Sequence, residues 1–378
     1  MFKQKQWLAV IRGNHWVVAK VARRKNKLDI ICLAEFRAEP EDKSDNVQEH
    51  LDGNLLSQKE GLQEDKRLNG GGGTASLKEW LHKNRIPVQK LRIAVSCPGV
   101  ITRMITLPLI SIQDLDKLLT EQVDQYFTLN ISDYVVDYRV LERFKEEGEM
   151  RLRVLLAALP KYQWEKLWSE WGEIGFKPDV VDLAADGLAR LYSQLAPKDK
   201  NKKITAELEV PLDIAIVELS ADGVEFILLD NGVVFLYSDL EVSLKGLAQV
   251  EIALNVTSRE SEYGLSGETQ DSNQQTFRLQ EWARTEIEST LGNALQSVSE
   301  FFGFFAAKHF GKSIDRIYLT GDYSNLPFLQ EIFETNLEIV TQVGFPNGWR
   351  PRFSKEMSIY QKNGMKYGSL YGLALREG

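Results

Sequence analysis

The chain opens with three apolar runs of strand length, residues 7–11, 16–22 and 28–36, separated by short polar breaks. Clustered and alternating Val, Ile, Leu and Trp over such lengths predict β-strands. The basic run Arg23-Arg24-Lys25-Asn26-Lys27 fits the solvated tip of a hairpin between the last two, with a membrane-surface or partner contact as the other reading. Residues 38–76 break the pattern, being rich in Glu, Asp, Gln, Ser and Gly and closing on Gly70-Gly71-Gly72-Gly73. Such a stretch buries too little apolar surface to offset its ordering entropy, so a long disordered loop is expected. Its glycines read as linker, because no strand precedes them and no Lys-Ser/Thr follows, as a phosphate loop requires.

Apolar periodicity then returns. It predicts a short helix over 77–84, a buried strand over 91–96 and a strand over 100–107 that ends at Pro108. Ser111 suits the cap of a helix to about residue 126, with Leu115, Leu118, Leu119, Val123 and Phe127 on one face. Paired strands follow over 134–141 and 151–159, then a helix from Lys161 to 174 closed by Gly175, and a short strand over 180–183. Residues 98–182 therefore read as a compact α+β unit with its own core, set between the first strands and a helix at 186–194. Trp164, Trp168 and Trp171 on its last helix are spaced as core, with a protein-binding surface as the other reading.

After a charged break, a three-strand meander is expected over 213–219, 223–229 and 233–237, with Asp222-Gly223 and Asn231-Gly232 as its turns. Residues 257–276 read as polar and loose. A long helix over 280–309 carries Leu291, Leu295, Val298, Phe302 and Phe305 along one stripe. A strand at 314–319, a helix at 326–337, a strand at 339–343 and a closing helix at 367–375 complete the pattern. Both halves open as strand, turn, strand, turn, strand and continue into a helix, although no close internal repeat is visible.

Composition narrows the function classes. The 378 residues are 43% hydrophobic and 26% charged, as in globular proteins, and the net charge of −8 gives no general affinity for nucleic acid or anionic lipid. Cys32 and Cys97 lie in strand-like runs without a CxxC, so no structural zinc site is expected. No apolar stretch of signal-peptide length follows the first residues, and no window approaches the roughly 18 apolar residues that span a bilayer. A cytoplasmic chain is expected, meeting a membrane only through a partner. His15, His50, His82 and His309 are scattered, and no GxSxG, Walker loop or GxGxxG is present. No catalytic residue and no metal ligand is assigned.

Two turns and one strand end nevertheless suit phosphate chemistry of another type. In actin-like ATPases two β-hairpin turns, one per half, bring backbone N–H groups close to phosphates, and acids near the strand ends hold a metal. The candidates here are Ile11-Arg12-Gly13-Asn14, Glu218-Leu219-Ser220-Ala221 and the adenosine-side element Tyr318-Leu319-Thr320-Gly321-Asp322-Tyr323.

Segments along the chain resemble the type IV pilus assembly protein PilM family of the FtsA/actin-like superfamily. The resemblance rests on Arg103, Leu107-Pro108, Glu121, Tyr126 and Asp137-Tyr138, then Val154-Leu155-Leu156-Ala157-Ala158, Gly175-Phe176-Lys177-Pro178 with Val181-Asp182, and Tyr371-Gly372-Leu373-Ala374-Leu375-Arg376. It implies an α/β, two-lobed actin-like (ribonuclease H-like) fold with an inserted small α+β domain. The first lobe would cover 1–97, completed by about 183–205, the insertion 98–182, and the second lobe 206–378 with its closing helix. It further implies a scaffold of pilus or related secretion machinery on the cytoplasmic face of the inner membrane. The implied partner is the cytoplasmic N-terminal peptide of a membrane protein of the PilN kind, beside other pilus assembly components. Its groove would lie near Arg103, Leu107 and Pro108.

Many such proteins bind ATP with magnesium, but this sequence departs from the family where nucleotide sits. Family Asp-Ile-Gly-Ser becomes Ile11-Arg12-Gly13-Asn14, and the lysine expected soon after aligns with Val18. Asp-Ile-Gly becomes Glu218-Leu219-Ser220, the expected Thr aligns with Val224, and Gly-Gly becomes Gly321-Asp322. The glycine-led adenosine helix with Glu and Lys has no clear counterpart in 240–280. The expectation is a degenerate nucleotide site at Gly13, Asn14, Glu218, Ser220, Gly321 and Asp322, no required cofactor and no useful hydrolysis. The alternative is an ATP-binding, actin-like ATPase whose nucleotide state controls assembly.

Overall fold

Strand β1 (Gln4–Arg12) turns at Gly13-Asn14 into β2 (His15–Arg24), and β3 (Lys27–Arg37) follows antiparallel to it. The structure is a computed structural model that describes residues 4–24, 27–38, 73–128, 130–178, 180–195, 213–262 and 270–376. Most of the loop expected over 38–76 lies outside these residues. Its end is a correction, since helix α1 (Gly73–Lys83) already begins at the last of the four glycines. Strands β4 (Leu91–Ser96) and β5 (Ile101–Pro108) lead to α2 (Ile112–Gln122), whose first turn is capped by Ser111 accepting the Asp114 N–H at 3.1 Å. Next come β6 (Tyr134–Glu146), β7 (Glu149–Pro160) and α3 (Lys161–Glu173). Phe176 N–H returns to the Trp171 carbonyl at 2.8 Å around Gly175, a left-handed helix stop. Then β8 (Val181–Leu183) and α4 (Ala184–Leu195) end the first half.

The second half runs β9 (Ile214–Ser220), β10 (Gly223–Asp230), β11 (Val233–Leu240), α5 (Lys245–Glu262), α6 (Gln270–Lys308), β12 (Arg316–Thr320), α7 (Leu329–Leu337), β13 (Thr341–Val343), β14 (Arg352–Phe353) and α8 (Gly368–Ala374). Residues 257–276, expected to be loose, fall largely within α5 and α6. Polarity is a poor guide there, because Glu, Gln and Arg are good helix formers and the two helices pack on each other.

Strand pairing shows the duplication that pattern alone suggested. The second-half sheet has the order β11-β10-β9-β12-β13, and the first-half sheet has β3-β2-β1-β4-β8 with β14 added beside β3. In both, the first three strands are antiparallel and the last two join parallel. A third sheet, β5-β7-β6, belongs to the insertion.

The insertion is less self-contained than expected. Its own core joins Leu107, Leu115, Leu119 and Phe127 to Leu152, Val154 and Leu156. Trp171 and Phe176, by contrast, pack into the outer core of the first lobe with Trp16, Trp80 and Ile93. Trp171 is fully buried whereas Trp168 is 45% exposed, stacked on Trp164 with ring centroids 5.5 Å apart. One core cluster spans both lobes around α4 and α8, including Leu8, Val10, Leu188, Tyr192, Ile216 and Tyr371. The two helices touch backbone to backbone. A Cβ on Gly187 would sit 2.6 Å from the Ser369 carbonyl oxygen, and one on Gly372 would overlap the Gly187 carbonyl.

Candidate functional site

Parallel pairing decides what meets between the lobes. Arg12 at the end of β1 lies beside Ser96 of β4, and Glu218 near the end of β9 lies beside Thr320 of β12. The carboxyl ends of such strands are where α/β folds place ligands. Alternation then decides which side chains point inward. On β1, Ala9 and Ile11 belong to the outer core, Leu8 and Val10 to the inner one, and Arg12 continues the inner series. On β9, Val217 and Leu219 are outer and Ile216 is inner, so Glu218 and Ser220 face the first lobe. Ile11, where the family acid was expected, is packed away in the outer core, and the residue that meets the second lobe is Arg12.

The two strand ends are joined by an ion pair. Arg12 Nη2 donates to Glu218 Oε2 at 2.6 Å and to Ser369 Oγ at 3.1 Å. Glu218 is 0% exposed and Arg12 9%. Burial pushes the Glu218 carboxyl up to about 7; Arg12 opposes this, while Glu225 and Asp322 add to it. Burial also disfavours the Arg12 charge, but Glu218 and Glu225 outweigh it and hold the guanidinium protonated. Glu225 is the cross-strand neighbour of Glu218 and accepts a hydrogen bond from Ser96 Oγ on the first lobe.

A second ring of contacts surrounds the pair. Arg37 grips Asp222 through both terminal nitrogens, at 3.0 and 3.3 Å. His15 stands between Asp222 and Glu35, 3.4 Å from each. Burial works against the His15 charge, but these two acids raise its pKa above the ordinary value. Burial works against the Glu35 charge too, yet His15, Lys366 and Tyr367 hold it down to about 2. The turn backbone is also engaged, since the Ala221 N–H donates to Asp322 Oδ2 at 3.0 Å.

Of the six residues assigned from sequence to the nucleotide site, Glu218, Ser220, Gly321 and Asp322 cluster at this junction, where Tyr323 N–H bonds to the Leu219 carbonyl at 3.1 Å. Gly13 and Asn14 form the exposed turn between Arg12 and His15, which both contact the second lobe, and Asn14 is tied to Ala38 at the end of β3. Sequence reasoning named Arg12 and Asp222 only as turn residues, and missed Arg37 and Ser369. The available signal was Arg12, a charge two positions beyond Val10 on the inward face of an apolar strand. Within 240–280, where no clear counterpart of the family's adenosine helix was read, α5 begins Lys245-Gly246 and carries Glu251. Gly246 faces α6, where a Cβ would run into Thr290 and Glu286, so this glycine serves helix packing. Among the described residues no group of three His, Cys, Asp or Glu side chains is placed to hold a metal ion.

The expected partner edge lies on β5. Arg103 and Pro108 on β5 are exposed, but Leu107 is buried in the insertion core. Beside Pro108 stand three exposed apolar residues that sequence reasoning passed over, Leu109, Ile112 and Met150, with the Leu109 N–H bonded to the Met150 carbonyl at 3.0 Å. Among the described residues, no helix is long and apolar enough to cross a membrane.

Two duplicated sheets meeting at their strand ends, with a small sheet inserted into the first half, define an actin-like α/β protein. A family model described as type IV pilus assembly protein PilM matches residues 73–378, and the chain belongs to that family. Among solved structures it is similar to a PilM-PilN type IV pilus biogenesis complex, with TM-score 0.65 and 18% identity over 99% of both chains. It is also similar to the ethanolamine utilization protein EutJ from Carboxydothermus hydrogenoformans, at TM-score 0.42 and 11% identity over 99% of this chain and 90% of that one. The cytoplasmic domain of EpsL from the Vibrio cholerae type II secretion system gives TM-score 0.39 and 9% identity over 99% and 96%. No curated protein sequence matches the chain.

Proposed function

We propose that this protein is a scaffold of type IV pilus or related secretion machinery, acting on the cytoplasmic face of the inner membrane. It holds the cytoplasmic N-terminal peptide of a membrane partner of the PilN kind, and its lobes are joined by its own side chains instead of a nucleotide. Family membership supports the machinery, and the PilN present in the similar solved complex supports the class of partner. The exposed edge that runs along β5 from Arg103 to Pro108, with Leu109 and Met150 at its end, offers a cation and apolar contact along one strand, as a docked extended peptide needs.

The Arg12–Glu218 pair carries the second half of the reading. The residues at the strand ends do not fit a triphosphate. Glu218 and Asp322 repel one, the inward cation Arg12 is already engaged by Glu218, and Asp322 takes the turn N–H that a phosphate would use. No hydrolytic step is assigned to any residue.

Calorimetry on the full chain tests both halves separately. A synthetic PilN-type cytoplasmic peptide is expected to bind, and Arg103→Glu to weaken it. Magnesium with ATP is expected to give no heat. Failure of the peptide to bind would remove the scaffold reading, and tight ATP binding with phosphate release would restore the ATPase alternative.

A further inference from the structure

The hairpin end of the first sheet lies opposite the junction just described. The β1–β2 turn meets the second lobe, so the start of β1 and the β2–β3 hairpin sit about 25 Å away along the strands. Register gathers cations there. Lys5 stands level with Ala22, Arg24 pairs with Lys27, and Arg352 of β14 lies beside Asp29. Leu91 is level with Trp7, which brings Lys90 to the same rim, with Arg85 on the connection before it. Lys5, Arg24, Lys27, Arg85, Lys90 and Arg352 are all exposed. Lys20 covers the half-buried Trp7 ring at 5.3 Å. Asp29, level with Ala22 and Arg352, is an acid at this rim.

This edge is positive on a chain whose formal charge is −8. Such a separation gives the molecule a charge dipole that aligns the edge with a negative surface within a Debye length. The cations come from β1, β2, β3, β14 and the connection between α1 and β4, and among the described residues the rim carries no exposed aromatic ring, which suits headgroups in a plane better than stacked bases.

We infer that the hairpin end of the first lobe is a docking edge for an anionic lipid surface. This goes beyond the expectation that the chain meets a membrane only through a partner, and vesicles lacking any partner protein test it independently of the peptide reading.

The full chain is sedimented with phosphatidylcholine vesicles, with the same vesicles containing phosphatidylglycerol, and with a single-stranded oligonucleotide as competitor. Binding is expected only to the anionic vesicles, lost at high salt, and weakened about ten-fold or more by the combined Arg24→Glu, Lys27→Glu and Arg352→Glu reversal. Reversal of the exposed Lys117 and Arg143 on the insertion is the control and is expected to leave binding unchanged. A thermal melt confirms that each variant folds. Equal binding to neutral vesicles, no binding at low salt, displacement by the oligonucleotide, or equal loss in the control variant would each overturn the inference.

Discussion

Arg12→Ala probes the junction most directly. It removes the guanidinium that Glu218 contacts at 2.6 Å and leaves a carboxylate with no exposed surface beside Glu225. Stranding one member of a buried pair typically costs about 3–5 kcal/mol. A chain of 378 residues has an unfolding entropy of about 0.8 kcal/mol/K, so the melting temperature is expected to fall by about 4–6 °C near pH 8. Protonation of Glu218 relieves the stranded charge, because burial already holds its pKa up to about 7. Near pH 5 the cost is therefore expected to shrink to the lost hydrogen bonds, about 1–2 kcal/mol. Replacing both partners, as Arg12→Met with Glu218→Leu, removes the stranded charge and is expected to recover most of the stability. Scanning calorimetry at both pH values measures all three. A loss below about 1 kcal/mol at pH 8, the range of solvent-screened pairs, would refute the argument. So would a double variant no better than the single.

The wild-type chain should be more stable near pH 6 than near pH 8. Glu218, raised when folded, disfavours folding once ionised, and His15, also raised, loses its stabilising charge as pH rises through its folded pKa. Glu35 acts in the opposite sense, losing its contribution as pH falls from about 4.5 towards 2, so Glu218→Gln should flatten only the neutral limb of a melting-temperature profile. Gly372→Val should abolish the α4–α8 crossing and yield insoluble protein, while Gly292→Ala on α6, where a Cβ meets open space, should be neutral or stabilising by about 0.5–1 kcal/mol; expression and melting compare them. Trp171→Ala should cost about 3–5 kcal/mol and Trp168→Ala far less, as read by denaturant titration.

Much of this architecture was legible because strand alternation is short-ranged. Residues 213–237 announced a meander through their apolar runs and Asx-Gly turns, and the structure has β9, β10 and β11 there. Helix α5 was not legible, because its few apolar side chains gain meaning only against α6. The same limit applies to the junction. Glu218 and Asp322 could be singled out from the family pattern, yet their partners Arg12 and Ala221 lie 206 and 101 positions away, and only the fold sets the distances. Ile11, aligned with the family acid, faces the outer core while its neighbour Arg12 meets the second lobe, because in a strand one residue exchanges the inner face for the outer.

The short strand at Arg352–Phe353 has a further consequence for biosynthesis. It pairs with Asp29 and Ile30, and Arg23 donates to the Leu375 carbonyl at 2.9 Å, so the sheet begun first is completed last. Arg352 leaves the ribosome long after its partner Asp29. During synthesis the amino-terminal sheet therefore waits with β3 as an open side, an unpaired edge of the kind that invites association before β14 covers it.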